Sequence, residues 1–256
     1  MILATNDDGI NARGLNSLRS ALVNSNRDHI LCGNVQGWTA AGTSLATPNG
    51  SPQVARFSDH VWQFKDSPPG LMVAAACSGV MGTVPRAVIS GVNHGPNVGR
   101  LVHHSGTVGA AVAAVAFDLA AVAVSCDDVY STGGVEDGPL HLDLAANLGL
   151  AILDIAADNG PGTLLNLNVP NLPVDAIAGI RVATCADVVP EVEVGFGGKL
   201  LLGVRIREAS DISDVALLSA GFATVTVLRG QVDPVTFADR VSEAGDRFFE
   251  TKSLYR

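Results

Sequence analysis

Met1-Ile2-Leu3-Ala4-Thr5, followed at once by Asn6-Asp7-Asp8-Gly9, decides how this chain is read. A short apolar run stopped by a turn has the content of a buried strand. In open α/β sheets the loops at the carboxyl ends of strands hold the ligands. Two neighbouring carboxylates in such a loop repel each other unless positive charge lies between them and a substrate. A divalent cation is the simplest source of that charge. Taken alone, Asp-Asp-Gly equally fits a turn with a helix cap, so the rest of the chain has to decide.

Outward from that loop, Leu15, Leu18 and Leu22 recur at helical spacing, with Asn11 or Asn16 as candidate caps. His29 to Cys32 reads as a second strand, followed by a small-residue loop from Gly33 to Asn49. Gln53 to Phe57 and His60 to Phe64 form a short hairpin pattern, and Pro68-Pro69-Gly70 opens a helix reaching about Gly82. Further strands are expected at Ala87 to Ser90, Ala121 to Ser125 and Thr163 to Val169, alternating with helices from Thr107 to Phe117 and Leu140 to Ala157. This alternation implies a Rossmann-like α/β fold: a mostly parallel sheet with helices on both faces. Beyond about Pro173 short alternating segments dominate (Ile180 to Ala183, Leu200 to Ile206, Thr224 to Leu228). They suggest a core over 1–173 and a β-rich extension with a terminal helix over 174–256, used in self-association.

Composition agrees with a folded enzyme-sized core. The 256 residues are 47% hydrophobic and 16% charged, against disorder. A net charge of −9 disfavours nucleic acid polymers and anionic membrane surfaces as partners, yet leaves room for a small anion beside a metal. Cys32, Cys77, Cys126 and Cys185 have neither zinc nor redox spacing and are expected to be small core residues. Val108 to Val124 carries Asp118 and falls short of a membrane span. With no leader pattern ahead of the acids, the expectation is a cytoplasmic protein.

A second loop contains Thr39 within Gly37-Trp38-Thr39-Ala40-Ala41-Gly42. A third runs from Ser90-Gly91-Val92-Asn93-His94-Gly95-Pro96-Asn97-Val98-Gly99 to Ser105-Gly106-Thr107-Val108-Gly109. Ser105 to Thr107 precedes an Ala-rich helix, so free peptide N–H groups and two hydroxyls face the loop opening, an arrangement suited to phosphate. An ordinary serine cap is the competing explanation. The amide oxygens of Asn93 and Asn97 are acceptable ligands for a hard cation. Carboxylates, amide, hydroxyl and anion site together are the parts of metal-assisted phosphoryl transfer to water.

These stretches, with Leu165-Asn166-Leu167-Asn168-Val169-Pro170, Ser213 to Leu217 and Ser219 to Thr226, closely resemble the SurE family from about residue 1 to about residue 230. The resemblance implies a metal-dependent phosphatase of nucleoside 5′- and 3′-monophosphates. It implies a C-terminal part exchanged between subunits, and a dimer or tetramer. It also implies one Mg²⁺ or Mn²⁺ held by Asp7, Asp8, Thr39 and Asn93, with phosphate on Asn97, Ser105, Gly106 and Thr107. The chain departs from the family pattern at Gly33-Asn34-Val35-Gln36, at Arg100-Leu101, at His103-His104 and at Ser67-Pro68-Pro69-Gly70. Metal-assisted hydrolysis therefore carries over better than nucleotide preference, and a specialised phosphomonoester is an alternative substrate.

In the expected mechanism one of Asp7 and Asp8 takes the proton of an attacking water. His94 and His104 are candidate acids for the leaving oxygen, with His103 beside them. A SurE-like scaffold that binds an anion without turning it over is the competing function, motivated by the altered loops. A dinucleotide enzyme is disfavoured, because the first loop has Asp-Asp where close backbone approach needs Gly-x-Gly.

Overall fold

The computed structural model describes residues 1–38, 42–46, 50–131 and 139–253. In chain order these form β1 (Ile2–Thr5), α1 (Arg13–Asn24), β2 (His29–Asn34), β3 (Gln53–Ser58), β4 (Val61–Lys65), α2 (Pro69–Cys77) and β5 (Ala87–His94). Next come α3 (Gly106–Val115), β6 (Ala120–Asp127), α4 (Leu142–Asp158), β7 (Leu164–Pro170) and β8 (Ile180–Ala183). The C-terminal part adds β9 (Asp187–Val194), β10 (Leu200–Glu208), α5 (Asp214–Ser219), β11 (Ala223–Arg229) and α6 (Pro234–Ser253).

Nine strands make one sheet in the order β3-β4-β2-β1-β5-β6-β7-β11-β8. The run from β4 to β7 is parallel, while β3 and β11 are antiparallel to β4 and β7. β6 is buried along its whole length, which is why its sequence is nearly continuous Ala and Val rather than alternating. Its neighbours β5 and β7 are almost as fully buried.

Two apolar layers cover the sheet. On one face Leu15, Leu18 and Leu22 of α1 pack with Leu148, Ile152 and Leu153 of α4 and with Phe237 and Val241 of α6. On the other, Met72 and Val73 of α2 meet Ala110, Ala111 and Ala114 of α3 over Leu3, Val88 and Ala121. Each buried leucine contributes roughly 1.5–3 kcal/mol, so the three α1 leucines alone account for much of that helix's docking.

The elements expected from the sequence are present, and β9 is added to them, with differences in a cap, a helix end and one cysteine. Helix α1 begins after Ala12 with no side-chain cap; neither Asn11 nor Asn16 caps it, and the Asn16 amide bonds back to the Asn11 carbonyl instead. Helix α2 stops at Cys77, and the residues to Gly82 are turns. Cys32, Cys77 and Cys126 are buried as expected, but Cys185 is exposed, in the link between β8 and β9. Residues 174–256, expected as an extension, contribute to both the main sheet and a separate hairpin. β8 and β11 complete the main sheet and α6 packs on α4, so the segment standing apart from the body is the β9–β10 hairpin. There Val194, Phe196, Leu200 and Leu202 are each more than 70% exposed.

Among the described residues no helix is long and apolar enough to cross a membrane.

Candidate active site at the sheet switch point

β1 lies between β2 and β5, so the chain leaves β1 toward one edge of the sheet and later returns on the other side. That reversal opens a crevice above the carboxyl ends of β1 and β5. The Asn6–Gly9 loop enters it from β1, and Asn93 and His94 enter from the end of β5.

Asp7 is 4% exposed. Its Oδ1 accepts a 2.5 Å hydrogen bond from the hydroxyl of Thr107, in the first turn of α3. A Cβ on Gly106 would come within 2.6 Å of the other Asp7 oxygen, so only glycine lets the helix end sit this close to the acid. The Asp7 carbonyl also accepts from the Trp38 peptide N–H at 2.6 Å, which brings the second loop against the first. Burial pushes the Asp7 carboxyl up to about 6; the Thr107 hydroxyl opposes that rise and neighbouring Asp8 adds to it. Asp8 stands on the open side of the loop. Its carboxyl is also raised, again chiefly by desolvation, while His94 pulls it back down.

Among the described residues neither acid forms an ion pair with Lys or Arg, and no three of His, Cys, Asp or Glu come together to hold a metal. The donors here are instead two carboxylates and an amide. Asn93 turns its Nδ2 toward the carbonyls of Gly95 (2.8 Å) and His94 (3.3 Å), which leaves its Oδ1 as the outward group. Two acids without a Lys or Arg partner beside an amide oxygen make a hard, all-oxygen set, the kind that suits a hard divalent cation. Thr39, expected as a further ligand, lies outside the described residues.

The phosphate-loop residues are distributed differently from expectation in one respect. Ser105 caps α3, its Oγ accepting from the Val108 N–H at 3.1 Å, so its own proton stays available to an incoming oxygen. Thr107 is fully buried and spends its hydroxyl on Asp7, so only its peptide N–H remains for an anion. Asn97 is held by three side chains, Asn166 and Asn168 of the Leu165 to Pro170 stretch and Ser125 of β6, whose contact with it the sequence does not specify. Its N–H donates to Asn168 Oδ1 (2.8 Å), its carbonyl accepts from Asn166 and Asn168, and its Nδ2 reaches Ser125 Oγ (2.8 Å).

Of the histidines, His94 bonds through Nε2 to Asp128 at 2.6 Å, from the loop after β6. His104 is exposed at the end of the 3₁₀ turn that precedes Ser105. His103 turns elsewhere, lining a groove of about 320 Å³ with Thr43 and Arg229. Arg100 pairs with Asp187 at the root of the hairpin. A cleft of about 610 Å³ between α4 and α6 is bridged by Arg240 and Asp158 and lacks the acid pair.

Comparison with known proteins identifies the family and the fold. The family model "Survival protein SurE" matches residues 2–190. The 5′/3′-nucleotidase SurE of Shigella dysenteriae serotype 1 is 31% identical over 252 residues, covering 94% of this chain and 95% of that protein. The 5′-nucleotidase SurE of Desulfatibacillum aliphaticivorans is 32% identical over 206 residues, 76% of this chain and 74% of that one. The crystal structure of the SurE protein from Aquifex aeolicus superposes with a TM-score of 0.72 at 24% identity, covering 94% of this chain and 98% of that chain, and shows the shared fold. On the acid pair, the loops around it and these matches, the chain belongs to the SurE family.

Proposed function

We propose that this protein is a divalent-metal-dependent phosphomonoesterase that hydrolyses a nucleoside monophosphate, or a related phosphate ester, by attack of water. The observation carrying the reading is Asp7: a buried acid at the sheet switch point, bonded to the helix whose N-terminus opens on the same crevice. A helix end favours anions and an acid pair repels them, so the two coexist most simply with a cation and a phosphate between them. The names of the relatives, 5′- and 5′/3′-nucleotidases, support the phosphomonoester class.

One Mg²⁺ or Mn²⁺ per subunit would be held by Asp7, Asp8 and the Asn93 amide oxygen, with the Thr39 hydroxyl as a further donor. When bound, it neutralises charge on the phosphate and lowers the pKa of water. The chain's own residues do the rest. Thr107 keeps Asp7 in one orientation. Ser105 Oγ and the peptide N–H groups of Gly106 and Thr107 take phosphate oxygens, and Asn97 borders them. Asp8, on the solvent side, accepts the proton of the attacking water. His94, oriented by Asp128, holds a proton for the leaving oxygen, and His104 is the second candidate for that step.

The altered loop Gly33 to Gln36 borders a cleft of about 180 Å³ with Trp38 and Lys65, next to the acids. That difference favours a leaving group unlike that of the relatives, as a second reading. The hairpin's exposed apolar side chains suit self-association into a dimer or tetramer, and the working compartment is taken to be the cytoplasm.

The deciding experiment is phosphate release from a panel of phosphomonoesters with EDTA, then with Mn²⁺ or Mg²⁺ restored. Turnover that vanishes in EDTA and returns with metal supports the proposal. Phosphate binding without any turnover would make the chain a binding protein instead.

A further inference from the structure

Asp214 is a fully buried carboxylate at the start of α5, far in sequence from every residue discussed as a ligand. Its Oδ2 accepts the Gly99 N–H at 2.7 Å, and its Oδ1 accepts the Ala186 and Val215 N–H groups at 2.9 Å each. Gly99 lies in the segment that carries Asn97 at one end and Ser105 at the other. Ala186 is the last residue before β9, the first strand of the hairpin. One carboxylate therefore grips the site loop and the hairpin root together.

The surrounding contacts make that junction stiff. Val98 packs with Ala186, Val188, Val215 and Leu218 in a small separate cluster. A Cβ at Gly99 would lie 2.6 Å from the Ala186 carbonyl and 2.9 Å from the Val188 side chain, and Gly99 has φ +53. Arg100 adds an ion pair to Asp187 at 3.1 Å. Asn97 is secured from the sheet by Asn166 and Asn168, whereas the Gly99 peptide N–H is secured by Asp214.

We propose that Asp214 is a positioning residue for phosphate binding: it fastens the Asn97–Ser105 segment to the root of the β9–β10 hairpin, so that the two move as one body. The inference rests on the reading that Asn97 and Ser105 face a phosphate. A charged acceptor suits this task, since hydrogen bonds from peptide N–H to a carboxylate are roughly twice as strong as neutral ones. Asparagine in its place retains one oxygen but turns an NH₂ against peptide N–H donors, so one of the two grips is lost.

The test is calorimetric binding of inorganic phosphate to the Mn²⁺-loaded protein, beside binding of Mn²⁺ to the metal-free protein. For Asp214→Asn the expected result is at least a tenfold rise in the phosphate Kd with the Mn²⁺ Kd within twofold of wild type, because Asp7 and Asp8 hang from β1. A general loss of structure would weaken both. Asp187→Ala, a partly exposed change that spares folding, is expected to raise the phosphate Kd two- to threefold. If Arg100 merely lent charge to phosphate, freeing it would tighten binding instead. Unchanged phosphate affinity in Asp187→Ala and in a folded Asp214→Asn overturns the proposal. A wild-type protein that binds Mn²⁺ but no phosphate overturns the underlying phosphatase reading, and this one with it.

Discussion

The acid pair above β1 and the β9–β10 hairpin depart from ordinary folding chemistry in opposite directions. At the first, a carboxylate is buried with no Lys or Arg partner among the described residues; at the second, Phe196 and Leu202 stand in solvent. Burying charge and exposing large apolar groups both cost stability, but they point to different missing neighbours. An unpaired buried acid asks for a cation. An apolar arm asks for another apolar surface, most simply a second copy of the same chain. If the first is a site of chemistry and the second a surface for assembly, as proposed, they should respond to different perturbations.

The contrast is tested most severely by Asp7→Asn. It should lower kcat for phosphomonoester hydrolysis by on the order of 10³-fold or more while circular dichroism stays native. Appreciable turnover in that variant would remove Asp7 from the chemistry. A charge on the arm is the converse experiment. Leu202→Asp should reduce the particle mass seen by light scattering at least to half, with much less effect on kcat. Unchanged mass would mean that the exposed stripe is not an assembly surface.

A smaller effect comes from protons. Asp7 titrates near 6 in the fold against an ordinary 3.8, so the folded state prefers it protonated. That preference favours the fold fully below about pH 3.8 and is lost as pH rises to about 6, a difference on the order of 3 kcal/mol. In EDTA the wild-type thermal midpoint should therefore fall across that window relative to Asp7→Asn, which carries no such proton. Added Mn²⁺ should raise the wild-type midpoint at pH 7.5 and leave the variant nearly unmoved. Parallel pH curves for the two proteins in EDTA would show that Asp7 is not strained by its burial.

Much of this was legible in the chain because it is periodic or local. Leu15, Leu18 and Leu22 announce a helix, the Ala-Val run of β6 announces a buried strand, and Ser105-Gly106-Thr107 announces a capped helix end. β9 escaped because Pro190 interrupts it and acids alternate with its valines, a pattern that demotes a strand unless it is an edge. Asp128, Asn168 and Asp214 escaped for another reason. They act on residues 34, 71 and 115 positions away, and the family-like stretches that contain Asn168 and Asp214 carry no sign of which groups those side chains hold. Their roles are created by strand order, which sequence periodicity does not encode.

Strand order has one more effect, on when the site comes into being. Asp7 meets Thr107, a residue 100 positions later in the chain, with β5 and the turn after it lying between. During vectorial synthesis the acids emerge early, but the helix end that orients them is made much later. A truncated or stalled chain ending before α3 thus lacks the hydroxyl that bonds Asp7 and the helix end that carries it. The contact that fixes the first acid loop is available only once the chain has been made through α3.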